Sequence, residues 1–90
     1  MSIQFIYKVY IPESVSEKVK IKVRKRLTNF FTGYTMYETT GAWKGLYEQT
    51  EVYEIISDER TMYVFESIKA DMLEDGEEAV LITMDTITVL

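Results

Sequence analysis

The spacing of apolar residues changes repeatedly along this chain, and the order of those changes limits the folds it can adopt. From Ile3 to Ile11, apolar residues occupy every second position, which is typical of a strand with one buried face. Pro12 should end this strand because proline has no N–H group to donate to a sheet. We therefore predict a first strand over residues 3–11.

The next segment has helical spacing. Ser14 or Ser16 can cap a helix whose first turn contains Glu17. Residues 18–24 also alternate as a strand would, but the apolar residues that follow extend only the helical pattern. We expect Gly33 to cap the C-terminus. The apolar stripe of this helix consists of Val15, Val19, Val23, Leu27, Phe30 and Phe31.

Two strands joined by a tight connection are predicted in the middle of the chain. Residues 34–43 are rich in Tyr and Thr, which favour strands, and residues 48–56 alternate in the same way. Gly41 and Gly45 allow a turn or a bulge between them. The alternation places Glu54 on the same face as its apolar neighbours two residues away, so we expect a hairpin with an acid on an apolar face.

A second helix is predicted after the hairpin. Residues 57–60 combine a capping side chain with acids for the first turn, and residues 74–76 end the pattern with a glycine. Its apolar stripe consists of Met62, Phe65, Ile68, Met72 and Leu73.

A last strand is predicted over residues 79–90. Val80, Ile82 and Met84 share one face of it. After Asp85 the apolar residues occupy odd-numbered positions instead of even-numbered ones, so they would lie on the opposite face. This switch predicts either a bulge or a strand end that leaves its sheet and packs on another chain.

The element order β-α-β-β-α-β is that of the ferredoxin-like α+β fold, with two helices on one face of a four-stranded antiparallel sheet. The other face would carry Ile, Tyr, Val and Met, which is too apolar for water. A 90-residue chain also has a thin core. We therefore expect one ferredoxin-like domain over residues 1–90 that forms a homotrimer, or failing that a homodimer, through its uncovered sheet face.

The composition excludes several kinds of chemistry. The chain has no cysteine and no histidine, which excludes disulfide scaffolds, thiol catalysis, Ser/His/Asp triads and the usual zinc sites. The acidic residues between 74 and 78 lack the spacing of a calcium loop, so we expect a solvated helix end there. We expect no metal and no cofactor.

The net charge of −5 conceals two halves of opposite sign. Residues 1–44 carry eight basic and three acidic residues, whereas residues 45–90 carry two basic and twelve acidic residues. The basic helix can be balanced by acids of its own chain or of a neighbouring subunit, and the overall acidity opposes nucleic-acid binding. No apolar run suits a signal peptide or membrane span, so we expect a cytoplasmic protein.

The segment from Gly33 to Gly45 concentrates aromatic, hydroxyl and charged side chains near glycines. One interpretation is a ligand pocket, in which an aromatic side chain stacks on a flat ring and polar groups bind its edges. The alternative is an ordinary hairpin of Tyr/Thr cross-strand pairs. A buried Glu54 beside a tyrosine could also take part in proton chemistry, although a solvated acid could not. The candidate ligand-binding residues are Tyr34, Tyr37, Glu38, Thr40, Trp43, Lys44 and Glu54.

The element order, the length and the Gly41-to-Gly45 hairpin resemble those of small trimeric ferredoxin-like proteins of the PII and CutA type. This resemblance implies a homo-oligomer that holds a nucleotide or related small ligand in clefts between subunits. The chain departs from PII because its hairpin is too short for the long ligand-binding loop, which speaks against ATP sensing. We therefore expect a non-enzymatic binding protein for a nucleotide-like ligand.

A weaker resemblance links the chain to phage-encoded S-adenosylmethionine lyases, trimers of similar shape that use tyrosine and glutamate at subunit interfaces. The matching residues here are Tyr34 or Tyr37 and Glu48 or Glu54. This resemblance implies a lyase as the alternative function, and the small, acidic, Tyr/Met-rich chain would suit a phage accessory protein. An interaction module or inhibitor that uses the acidic second half is a further alternative.

Overall fold

The computed structural model describes residues 2–57, 61–77 and 80–89. Its elements are β1 (Ser2–Pro12), α1 (Glu17–Phe30), β2 (Thr35–Trp43), β3 (Leu46–Ser57), α2 (Met62–Glu74) and β4 (Leu81–Val89). The strands form one antiparallel sheet in the order β2-β3-β1-β4. The predicted ferredoxin-like α+β fold is therefore confirmed.

Both helices pack on the same face of the sheet and enclose the core. In β1, Tyr7, Val9 and Ile11 are fully buried on this side, and the Tyr7 ring stacks on Phe65 of α2 with ring centroids 4.2 Å apart. The buried hydrophobic cluster comprises Tyr7, Val9, Ile11, Val15, Val19, Val23, Leu27, Tyr53, Ile55, Val64, Phe65, Ile68 and Met72.

Helix α1 begins where the end of α2 meets it. Ser16 is the N-cap, and its Oγ accepts a hydrogen bond from the Val19 N–H at 3.3 Å. Asp75, just after α2, accepts hydrogen bonds from both the backbone N–H and the hydroxyl of Ser16, each at 2.9 Å. These bonds lower the pKa of Asp75. Part of the acidic run therefore binds the α1 N-terminus, while Glu78 lies outside the described residues.

The C-terminus of α1 differs from the prediction in two ways. Phe31 ends the helix in an extended conformation while its N–H still bonds the Leu27 carbonyl at 2.9 Å. Gly33 does not have the positive φ of a left-handed cap, so the predicted glycine cap is wrong. The extended backbone turns Phe31 toward the core, whereas Phe30 stays 53% exposed. Phe30 was therefore wrongly placed in the buried stripe.

Helix α2 begins at Met62 after Thr61, and residues 58–60 of its predicted start lie outside the described residues. Its end agrees with the prediction, since Gly76 takes a φ of +97° just beyond it. Met62 and Leu73 of the predicted apolar stripe are 46% and 45% exposed, so the stripe is not buried along its whole length. Helix α2 has apolar residues on more than one of its faces, and the face that packs on the core includes Val64 instead of Met62 and Leu73. Neither helix is long and apolar enough to cross a membrane.

The central hairpin is confirmed and closes with a two-residue turn. Lys44 and Gly45 both have positive φ angles, 50° and 79°, as the type I′ turn requires. In β4, by contrast, pairing with β1 is unbroken from Tyr10↔Leu81 to Ser2↔Val89. The predicted bulge or departure from the sheet is therefore wrong. The apolar side chains simply change faces after Asp85 while the backbone stays regular.

The sheet face away from the helices is called the open face here; it carries Gln4, Ile6, Lys8 and Tyr10 of β1 and the residues in register with them. Ile56 and Leu81, also on this face, are 54% and 55% exposed. No described helix covers it, and it mixes apolar side chains with polar ones, among them Gln4, Lys8, Glu54, Thr83 and Asp85.

Candidate functional site

Strand alternation divides the predicted site residues between the two faces of β2. Tyr37 lies on the open face opposite Val52, whereas Glu38 and Thr40 point to the helix side. The ring of Tyr34, just before β2, meets the buried Tyr53 ring edge-on at 5.3 Å, also on the helix side. One copy of the chain therefore does not bring these residues into one pocket.

The other candidates lie at the turn and on β3. Lys44 is the first residue of the turn, and Trp43 ends β2, although the Trp43 side chain lies outside what the structure describes. Glu54 lies on the open face of β3, two residues from Val52 and Ile56. The structure thus separates Glu54 and Tyr37 from Tyr34, Glu38 and Thr40.

On the open face a phenol contacts a carboxylate, and a lysine lies in register beside that carboxylate. The Tyr37 hydroxyl donates a hydrogen bond to Glu54 Oε2 at 3.3 Å. Lys8 stands directly opposite Glu54 on β1. Both Lys8 and Glu54 are half-buried. We call Lys8, Tyr37 and Glu54 the open-face cluster; Val52 and Ile56 lie on either side of Glu54 along β3.

On the helix side, a cavity of about 330 Å³ opens between the β1–α1 connection and the hairpin. Glu38 and Glu51 face each other across β2 and β3 at this cavity, an arrangement that favours a neutral or cationic occupant over an anion. No group of acidic residues in the described ranges is suited to hold a metal ion. The cavity is lined by Glu13, Lys20, Glu38, Gln49, Thr50 and Glu51.

A buried polar network beside this cavity was not predicted. Arg24 Nε donates to the Tyr53 hydroxyl at 2.9 Å, and that hydroxyl donates to Glu51 Oε2 at 2.7 Å. Burial of the Tyr53 phenol raises its pKa to about 12, and the hydrogen bond to Tyr53 raises the pKa of Arg24. Glu51 is therefore held in a fixed orientation at the cavity wall. The alternation of β3 predicts that Tyr53 and Glu51 share one face of the strand. No local sequence pattern predicts that Arg24 contacts them.

Three of the six basic residues of α1 form ion pairs with acids among the described residues. Arg26 Nε lies 2.8 Å and Lys22 Nζ 3.6 Å from the carboxylate of Asp71, which is only 8% exposed. Arg24 likewise contacts Glu17 and Glu51. The two oppositely charged halves of the sequence thus meet inside the fold, which leaves α1 less able to attract nucleic acid.

Replacing Tyr53 with Phe should lower the free energy of unfolding at pH 7 by about 1–2 kcal/mol, because Arg24 and Glu51 lose a shared partner. The raised pKa of Tyr53 means that its contribution is complete below about pH 10 and is lost as pH rises toward about 12. Urea unfolding at pH 7 and pH 11 should therefore show a smaller difference between the two proteins at pH 11. An equal difference at both pH values would contradict the assignment.

Comparisons with known proteins support the fold alone. No protein-family model and no curated protein matches the sequence. Among solved structures, GlnK of B. subtilis in complex with ATP matches at 21% identity with a TM-score of 0.62, covering 97% of this chain and 84% of that chain.

Two further structures show the same fold. A phage SAM lyase in complex with S-methyl-5′-thioadenosine matches at 16% identity with a TM-score of 0.58, covering 96% of this chain and 90% of that one. The divalent cation tolerance protein CutA1 of Thermus thermophilus matches at 13% identity with a TM-score of 0.54, covering 96% and 84%. The chain therefore shares the ferredoxin-like fold of PII, CutA and phage SAM lyase proteins, as the resemblance implied.

Proposed function

We propose that this protein is a homo-oligomeric binding protein for a small adenosine-type ligand, held beside β2 where two copies meet. The observation that carries the proposal is the open-face cluster, which places a phenol and a carboxylate in contact on a sheet face that no described helix covers. Two of the similar structures contain adenosine compounds, ATP and S-methyl-5′-thioadenosine. Both compounds have a flat ring with polar edges. Aromatic side chains of β2 can stack on such a ring, and its polar side chains can hydrogen-bond the edges.

The position of β2 explains how residues from both its faces could contribute. It is an outer strand of the sheet, so no other strand in the described part of the chain covers one of its edges. A ligand at this edge can reach Tyr37 on the open face as well as Glu38 and Thr40 on the helix side. The remaining candidates, Tyr34, Trp43, Lys44 and Glu54, lie at the ends of β2, in the turn and on the adjacent strand.

The charge of the hairpin narrows the class of ligand. Between Thr35 and Ser57 the chain carries four glutamates and one lysine, which disfavours a polyphosphate. The two-residue turn also provides no long loop to wrap around phosphates. We therefore favour a neutral or cationic adenosine compound, such as the thioether S-methyl-5′-thioadenosine or the sulfonium S-adenosylmethionine, over ATP.

Calorimetric titration with these three compounds tests the proposal. We expect S-methyl-5′-thioadenosine or S-adenosylmethionine to bind more tightly than ATP. Tyr37→Phe and Glu54→Gln should each weaken binding about fivefold to tenfold, the equivalent of one hydrogen bond. Tyr63→Phe is the matched control, because Tyr63 is 62% exposed and lies on α2 rather than on the hairpin. Tightest binding of ATP, or no binding of any compound, would contradict the proposal.

The Tyr37–Glu54 hydrogen bond also supports a second candidate, cleavage of S-adenosylmethionine. A tyrosine and a glutamate in contact can together position a substrate and stabilise charge in a reaction. Incubation with S-adenosylmethionine, followed by mass spectrometry, should then show S-methyl-5′-thioadenosine together with homoserine lactone, which forms when the substrate's own carboxylate attacks the carbon bound to sulfur and the C–S bond breaks. Tyr37→Phe should slow that cleavage by about 100-fold, while Tyr63→Phe leaves it unchanged. Binding without any product would leave the binding function and eliminate the lyase.

A further inference from the structure

Three rows of side chains cross the centre of the open face, where β3 and β1 pair. In register, Ile56 stands beside Ile6, Glu54 beside Lys8 and Val52 beside Tyr10. On these two strands a row of opposite charges therefore lies between two rows of apolar side chains. On the adjacent β4, Asp85 stands beside Ile6, and Val52 is already buried within one copy. A complementary surface must present opposite charges between two apolar rows at the same spacing.

We propose that a second copy of this chain covers the open face with its Lys8 against Glu54 and its Glu54 against Lys8. The inference rests on the proposed self-association and specifies its geometry. A two-fold axis parallel to the strands, between β1 and β3, lays β1 of one copy over β3 of the other. Each apolar row then meets an apolar row, and each charge meets its opposite.

Other two-fold arrangements lack this complementarity. An axis along the charged row would lay β3 on β3, so that the two Glu54 carboxylates and the two Lys8 ammonium groups would meet their own kind. Like charges brought together in a contact cost several kcal/mol when they lose water, which disfavours that packing. The resemblance to PII and CutA proteins implied a trimer, whereas the rows on this face favour a dimer.

Within one copy, Lys8 and Glu54 are half-buried but do not pair with each other, which favours a partner from a second copy. They are direct cross-strand neighbours, yet the ion pairs among the described residues do not include one between them. Both are half-buried, and covering them without partners would be unfavourable. Lys8 of the second copy would complete the cluster by facing the carboxylate that already accepts a hydrogen bond from Tyr37.

Reversing one charge at a time tests this arrangement. Lys8→Glu makes the charged row wholly acidic, and Glu54→Lys makes it wholly basic. By native mass spectrometry, each variant alone should be monomeric, with a dissociation constant raised at least about 100-fold. An equimolar mixture should give a heterodimer that contains one copy of each. Lys69→Glu, an exposed charge reversal on α2, is the control and should dimerise as the original protein does.

The outcomes separate this inference from the proposed function. If the unaltered protein dimerises and both single variants dimerise equally well, the charge pairing is wrong while self-association stands. Variants that fail to recombine in the mixture, or an unaltered protein that is a trimer, would also overturn it. If the unaltered protein is monomeric, self-association itself fails. Circular dichroism of each variant shows that a monomeric result reflects lost assembly in a folded chain.

Discussion

Phe65→Ala should cost about 3–5 kcal/mol of the free energy of unfolding, the range expected when a large aromatic side chain leaves a packed core. Phe65 is 1% exposed, stacks on Tyr7 at 4.2 Å and lies 5.8 Å from the Phe31 ring. It therefore links α2 to the sheet and to the end of α1. Because small domains have a total stability of only about 5–15 kcal/mol, this loss removes a large share of it, and we expect the variant to unfold at a clearly lower urea concentration than the original protein.

Urea unfolding followed by circular dichroism measures this loss at one protein concentration. Phe30→Ala is the matched control, because it removes the same side chain from a position that is 53% exposed. The control should change stability by less than about 1 kcal/mol. Equal losses for the two variants would show that the core does not centre on Phe65.

Ile56→Glu should convert the protein to a folded monomer. Ile56 is 54% exposed in one copy, so a carboxylate there remains hydrated and leaves the fold nearly unchanged. In the assembly the same position would be covered by apolar side chains, and an unpaired buried charge costs about 3–5 kcal/mol. We therefore expect the dissociation constant to rise at least about 100-fold.

Sedimentation velocity over a range of concentrations measures the assembly. Ile21→Glu is the control, because Ile21 is 44% exposed on α1 and lies away from the open face. It should assemble as the unaltered protein does. An Ile56→Glu protein that assembles normally would mean that the open face is not the contact surface.

The order of helices and strands was predictable because it depends on how apolar residues are spaced within each short segment. Alternation from Ile3 to Ile11 and the glycine beside Lys44 indicate a strand and a tight turn from neighbouring residues alone. The ends of helices were harder, since they depend on what the chain does next. Phe30 and Phe31 both fit the helical stripe, and only the extended backbone at Phe31 decides which ring turns inward.

The candidate site was only partly predictable for a related reason. Strand parity correctly groups Glu54 with Val52 and Ile56 on one face, and it also separates Tyr37 from Glu38. It cannot pair Glu54 with Tyr37, because that contact depends on the register of two strands. Contacts between distant segments, such as those of Arg24 with Tyr53, depend on the packing of α1 against the sheet.

The measurement that tests the central claim most directly is native mass spectrometry of the purified, unaltered protein with S-methyl-5′-thioadenosine added. We expect a species at twice the mass of the monomer that retains the compound. A monomer that binds no adenosine compound at any concentration tested would contradict both the assembly through the open face and the proposed binding function.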